Sequence, residues 1–385
     1  MKKRMTRILS LLVVGAMTVA TFVGCGSTGK GDDKGSSDGA KIGVLVADVS
    51  GEEAQGFRNY YEKYIAGNYD VEFTYTDALE SAEDEKAAIE KFASQGCDAI
   101  ISLSSSDRAQ QIETCEKYGV YYAIASGVLD NEQYETYKGY EHFVGQVGPS
   151  NETEFEAGKE MGAHFKDQGV KSVALYGAFI PNPMHVYRAA GVLAGLGCTY
   201  GGASDMDAIV GQIFADQGVT LSKVAGDTQV VAYLQGYGDT TTDELNAAIQ
   251  KNPEAFISVG MATTFFTQTL NEAGIQFSDI DSFTEANGAA IKDGKLVYLA
   301  GKYSSSIGPV FALVMNAING NVIRDDNGNA VSVSQGYLVA TDGESFDSFY
   351  LSDNGSNPIY SKDTLDSIIG DDVTYADVKT LIESK

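Results

Sequence analysis

KIGVLVAD, residues 41–48, is an apolar run that turns polar only at its end. A strand with one wet face alternates apolar and polar residues. A run apolar at nearly every position is covered on both faces, as in a parallel sheet. Residues 50–65 follow with helical spacing, Phe57, Tyr60, Tyr61 and Tyr64 falling on one side. The same alternation continues: strand 69–76, helix 81–95, strand 99–103, helix 109–118, strand 120–126. Apolar strands separated by helices require a parallel sheet with helices on both faces and right-handed crossovers.

The pattern then restarts. An extended piece at 142–147 leads into helix 152–168, strand 171–176, helix 186–195, strand 229–234, helix 242–251, strand 255–259 and helix 263–273. Strand 296–300, helix 307–319, a turn at Asn327-Gly328-Asn329 and strand 335–340 follow, and residues 352–385 carry two weak helical patterns. The fold class is therefore α/β with two successive parallel-sheet units. Open α/β sheets bind ligands outside the carboxyl ends of their strands. Two such edges facing each other make a cleft that closes over a small molecule.

Upstream of the first strand lie Lys2, Lys3, Arg4 and Arg7, then an apolar run over 8–23. A basic start, a short apolar core and a small residue before the cut make a secretory signal, too short for a comfortable membrane span. Phe22-Val23-Gly24-Cys25 resembles the bacterial lipobox, in which a lipid joins the cysteine thiol and cleavage falls just before it. An ordinary signal with an incidental cysteine is the alternative. Two or more acyl chains on Cys25 would anchor the protein stably. Residues 26–40 are rich in Gly, Ser, Asp and Lys and read as a flexible tether.

The 385 residues carry a formal charge of −26, and losing the basic leader takes the remainder near −30. That excludes nucleic acid and argues against a polyanionic ligand. Cys97, Cys115 and Cys198 lie in apolar stretches, without metal-ligand spacing to each other or to a histidine, and read as small core residues. A Cys97–Cys115 disulfide stays open in an oxidising compartment. The G-x-S-x-G match at residues 35–39 falls in the Gly/Ser tether rather than at a strand-to-helix elbow, and no H-E-x-x-H or P-loop pattern occurs, so no enzyme, cofactor or metal is expected.

The order of KIGVLVADVSG, DAIISLSSSD, FVGQVGPSNETEFEAGKEMG, SVALYGAF with YRAAGVLAGL, NPEAFISVG with TTFFTQTLNEAG, and AAIKDGKLVYLAG resembles the type I periplasmic binding proteins of the ribose-binding branch. The resemblance covers roughly residues 41–340. It implies two Rossmann-like lobes joined by a three-segment hinge, with crossings near 144–148, 300–303 and 331–336. The domain plan is then a signal peptide 1–24, a tether 25–40, an N-terminal lobe 41–145 plus 303–331, a C-terminal lobe 146–302 plus 332–350, and an acidic tail 351–385. It also implies a lipid-anchored, extracytoplasmic, monomeric solute receptor that delivers a small polar ligand, a sugar or sugar-like molecule, to an ABC importer permease. A sensory lipoprotein has the same fold; an extracellular hydrolase is the more remote alternative.

Strand ends nominate the ligand residues. Asp48 and Ser50 follow the first strand, Ser105 the third and Ser126 the fourth; hydroxyls and a carboxylate there match sugar hydroxyls. Helix capping competes for Ser50. Arg188, before Ala189-Ala190-Gly191, is similar to the family arginine that forks onto ligand oxygens. In the second lobe the resemblance points to Met261, Glu285, Asn287 and Tyr303. Gly260-Met261 stands where the family has Asn, and Ser126-Gly127 where many sugar binders have Asp-Arg. With no tryptophan, stacking on a sugar face falls to Tyr or Phe.

Overall fold

The computed structural model describes residues 39–177, 179–180 and 182–385. The signal peptide, Cys25 and the tether up to residue 38 lie outside the described residues. Fourteen strands follow in chain order: β1 (Ala40–Val46), β2 (Val71–Tyr75), β3 (Ala99–Leu103), β4 (Tyr121–Ala125), β5 (Phe143–Gly148), β6 (Ser172–Tyr176), β7 (Thr199–Tyr200), β8 (Val224–Ala225), β9 (Gln229–Leu234), β10 (Ala255–Ser258), β11 (Gln276–Ser282), β12 (Leu296–Lys302), β13 (Val331–Ser334) and β14 (Leu338–Ala340). Two six-stranded sheets result, ordered β13-β5-β4-β3-β1-β2 and β14-β12-β11-β10-β6-β9, with β7 and β8 as a separate ribbon. Every pair in the first sheet is parallel. In the second sheet only the edge strand β14 runs antiparallel, against β12.

The apolar run that opens the fold is β1, whose last five residues are all buried, as a central strand covered on both faces must be. The chain passes between the sheets three times: after β5, after β12 and between β13 and β14. β5 extends to Gly148, and β13 pairs with β5, so residues 146–148 and 332–334 join the first sheet rather than the second. β1 begins at Ala40, one residue inside the expected tether.

Residues 351–385 are not a free tail. Tyr360, Leu365, Ile368, Val378 and Ile382 are buried in one core with Phe311 and Val331. Tyr60 Oη donates to Tyr360 O at 2.6 Å, and the Asn316 amide donates to Ile368 O at 2.7 Å. The segment is acidic because its outward faces carry the charge, while a few apolar residues at helical spacing seal the first sheet.

In the second unit, helices Asn151–Asp167 and Pro183–Gly195 touch backbone to backbone. A Cβ added at Gly191 would lie 2.0 Å from Phe155 O, and one at Gly158 would lie 2.0 Å from Arg188 O. Only glycine allows that approach. The close crossing sets Arg188 directly on Glu154.

Candidate ligand cleft

The carboxyl ends of β1, β3 and β4 open onto a cavity of about 730 Å³. Its other side comes from the first turns of helices Asn151–Asp167 and Pro183–Gly195 and from the end of β12, represented by Asn151, Asn182 and Lys302.

Three of the nominated residues are on its wall: Asp48, Ser105 and Ser126. The Asp48 carboxylate accepts from Ser50 N at 2.8 Å, Ser50 Oγ at 3.1 Å and Gly51 N at 3.0 Å. The Ser50 backbone bond leads in holding it below the usual carboxylate range. Ser50 is thus the turn's donor and is not on the wall. The loop carrying exposed Ser105 is fixed by buried Glu85, which accepts from Ser106 N and Asp107 N at 2.9 Å. Ser126 has φ 60°, a left-handed position that turns the chain sharply off β4.

The other nominations lie elsewhere. Arg188 is buried and off the wall. Its Nε donates to Glu154 Oε2 at 2.6 Å, Nη1 to Val259 O at 2.8 Å, and Nη2 to Tyr337 Oη at 2.6 Å. These partners occupy the guanidinium fork that the resemblance assigned to ligand oxygens. The sequence spacing is the same in either case; what differs is Glu154, one helix away. Met261 is exposed with φ 67° at the start of helix Ala262–Ala273 and is not on the wall. Glu285 is exposed, and its amide donates to Glu52 Oε2 at 3.0 Å. Asn287 is buried, donating to Ser282 O at 2.7 Å and Asp281 at 3.2 Å. Tyr303 is buried against Tyr360, the rings stacked at 6.3 Å.

No protein-family model and no curated protein sequence matches the chain. Solved structures do. A solute-binding protein of an ABC transporter from Bacillus halodurans, with bound myo-inositol, superposes with TM-score 0.58 at 17% identity, over 83% of this chain and 99% of that one. One from Actinobacillus succinogenes, with bound D-allose, gives TM-score 0.61 at 16% identity, over 80% of this chain and 100% of that one. An arabinose-transporter component from a Shewanella species gives 0.58 at 16% identity, over 81% and 95%. The fold is that of the type I periplasmic binding proteins. These neighbours are solute-binding components of ABC transporters.

In this binding-protein fold several wall residues that sequence reasoning did not nominate come from helices: Glu53, Arg108 and Glu154 from first turns and Phe57 from a second turn. Phe57 adds an aromatic ring to the apolar wall that Val46, Leu103 and Ala125 form at the strand ends. Tyr122 is buried and bonded to Gln111, and Phe179 and Tyr237 are exposed off the wall. Glu53 reaches across to accept from Ser282 Oγ at the end of β11, beside the Glu52–Glu285 contact. Behind that contact β11 carries buried Asp279 and half-buried Asp281. Burial, with Asp281 beside it, pushes Asp279 up to about 7 against the pull of Ser258 Oγ and the Ala262 amide. Burial likewise lifts Asp281 to about 6.

The three described cysteines are free and buried, so the Cys97–Cys115 pairing is not made. Away from the wall, Glu116, Glu141 and His142 bring ligand-type atoms together. Glu116 is already engaged there by the His142 and Glu141 amides.

Proposed function

We propose that this chain captures a sugar or a sugar-like polyol in the cleft between its two sheets and delivers it to an ABC importer permease. The observation that carries the reading is the cavity of about 730 Å³ between the carboxyl ends of β1, β3 and β4 on one side and the helix starts at Asn151 and Asn182 with the end of β12 on the other. Its size falls within the range of small-molecule sites, roughly 300–1,000 Å³. Hydroxyl and amide groups of Ser105, Ser126, Asn151 and Asn182 suit sugar hydroxyls, and Phe57 suits a C–H face. The myo-inositol and D-allose bound by the two neighbours above support this ligand class.

The two sheet units act as lobes that close on the solute, working as a monomer outside the cytoplasm and held to the membrane through lipid on Cys25. Calorimetric titration against hexoses, pentoses and inositols, with a thermal-shift screen to find the first hit, tests capture. Small-angle scattering with saturating ligand should show a smaller radius of gyration. No binding across the panel defeats the ligand reading, and a constant radius defeats closure. Cys25→Ser should abolish the lipid mass and release the protein from the membrane fraction; unchanged fractionation and mass overturn the anchor.

A further inference from the structure

We propose that the ligand bears a carboxylate, so that the cleft selects sugar acids over the matching neutral sugars. The inference rests on the sugar-binding reading of the same site.

Six charged side chains line the cleft: Asp48, Glu53, Arg108, Asp130, Glu154 and Lys302. All four acids are already engaged within the protein. Asp48 closes its own turn, Glu53 takes the Ser282 hydroxyl, Asp130 accepts from Gln133 N at 2.8 Å, and Glu154 is paired with Arg188. The two cations are not so engaged. Lys302 makes no ion pair or side-chain hydrogen bond among the described residues, and Arg108 forms no salt bridge. Arg108 Nη1 donates to Val128 O at 2.8 Å, whereas its Nε is buried without a partner. The acid whose charge acts on it, Glu85, spends its oxygens on hydrogen bonds from Ser104, Ser106 and Asp107.

Arg188 and Arg108 make an internal comparison. Both guanidiniums sit at strand ends and both are anchored through Nη1 to a backbone carbonyl. Arg188 also has a carboxylate, Glu154, on its Nε. Arg108 has no such acceptor, and a buried donor left unpaired is costly. Gly127 makes room for it: a Cβ there would lie 2.8 Å from Arg108 Nη2. The wall therefore presents a fixed guanidinium and a free ammonium, the pair that recognises a planar anion. The chain's charge of −26 disfavours a dianion more than a monoanion, which selects a carboxylate over a phosphate.

The test titrates matched pairs by calorimetry: glucuronate against glucose, galacturonate against galactose, and gluconate against sorbitol. Acetate and lactate serve as carboxylates without a polyol. Tighter binding of at least one sugar acid than of its neutral partner, about tenfold or more and weakening with salt, is the expected result. Arg108→Gln and, separately, Lys302→Met should each erase most of that preference, with melting curves confirming that the variants fold. Neutral sugars bound as tightly as their acids overturn this inference and leave the sugar reading standing. Acetate and lactate bound as tightly as any sugar acid would support the anion site and defeat the sugar reading. Binding of no probe overturns both.

Discussion

Replacing Arg188 with methionine should cost folding far more than recognition. The substitution keeps the apolar stem and removes every donor. Glu154 then remains as a buried carboxylate without its partner, and Val259 O and Tyr337 Oη lose their bonds as well. Breaking a buried pair from one side typically costs about 3–5 kcal/mol. The loss should appear in urea unfolding followed by circular dichroism and by tyrosine fluorescence, which is unobscured because the chain has no tryptophan. A second variant separates the pair from the position. With Glu154→Leu added, no unpaired charge is left behind, and the double variant should be less destabilised than Arg188→Met alone. A cost below about 1 kcal/mol for the single variant, or strict additivity of the two changes, would refute the coupled buried pair.

Stability should bend with pH on both sides. Asp279, raised to about 7, holds its proton more tightly when folded than when unfolded. Its contribution is therefore present in acid and lost as pH rises through about 7, and Asp281→Asn should flatten that fall by removing the neighbouring charge. His185 runs the other way: burial lowers it from 6.5 to about 4, so stability is lost as pH falls below 6.5, and His185→Asn should remove that loss. Melting temperatures across this range check both, and an unaltered profile in either variant removes that group from the account. Gly191→Ala should destabilise by about 1–3 kcal/mol or more, because the new methyl meets Phe155 O; near-native urea unfolding would show that the helices can separate freely. Cys97, Cys115 and Cys198 should resist iodoacetamide until denaturant is added, since burial also raises their thiol pKa values; rapid native labelling would contradict their placement.

The doubly covered strands were legible because burial on both faces writes itself as an apolar run. The strand at 229–234 was read at its observed limits. β11 was not, because Asp279 and Asp281 interrupt the run, and an acid inside a parallel sheet contradicts the pattern that finds such strands. The two-residue strands β7 and β8 are too short for any periodicity. At the cleft, Asp48, Ser105 and Ser126 followed from strand ends alone. Arg108 and Glu154 sit at helix starts, where local sequence does not say what faces them across the gap. Arg188 went astray for that reason, as its destination depends on a glutamate thirty-four residues away.

The order of synthesis gives the folded C-terminal segment another meaning. A chain is made from its N-terminus onward, and domains tend to fold as they emerge. Five of the six strands of the second sheet lie between residues 172 and 302, so nearly the whole of it exists in one uninterrupted stretch. The first sheet begins earlier and finishes later. It lacks β13 until residue 334, and its apolar face stays uncovered until Tyr360, Leu365 and Ile382 arrive. A chain cut short near residue 350 would thus carry a nearly complete second half and an unsealed first half. The half begun first is therefore the half finished last, sealed only once residues 360–382 have been added.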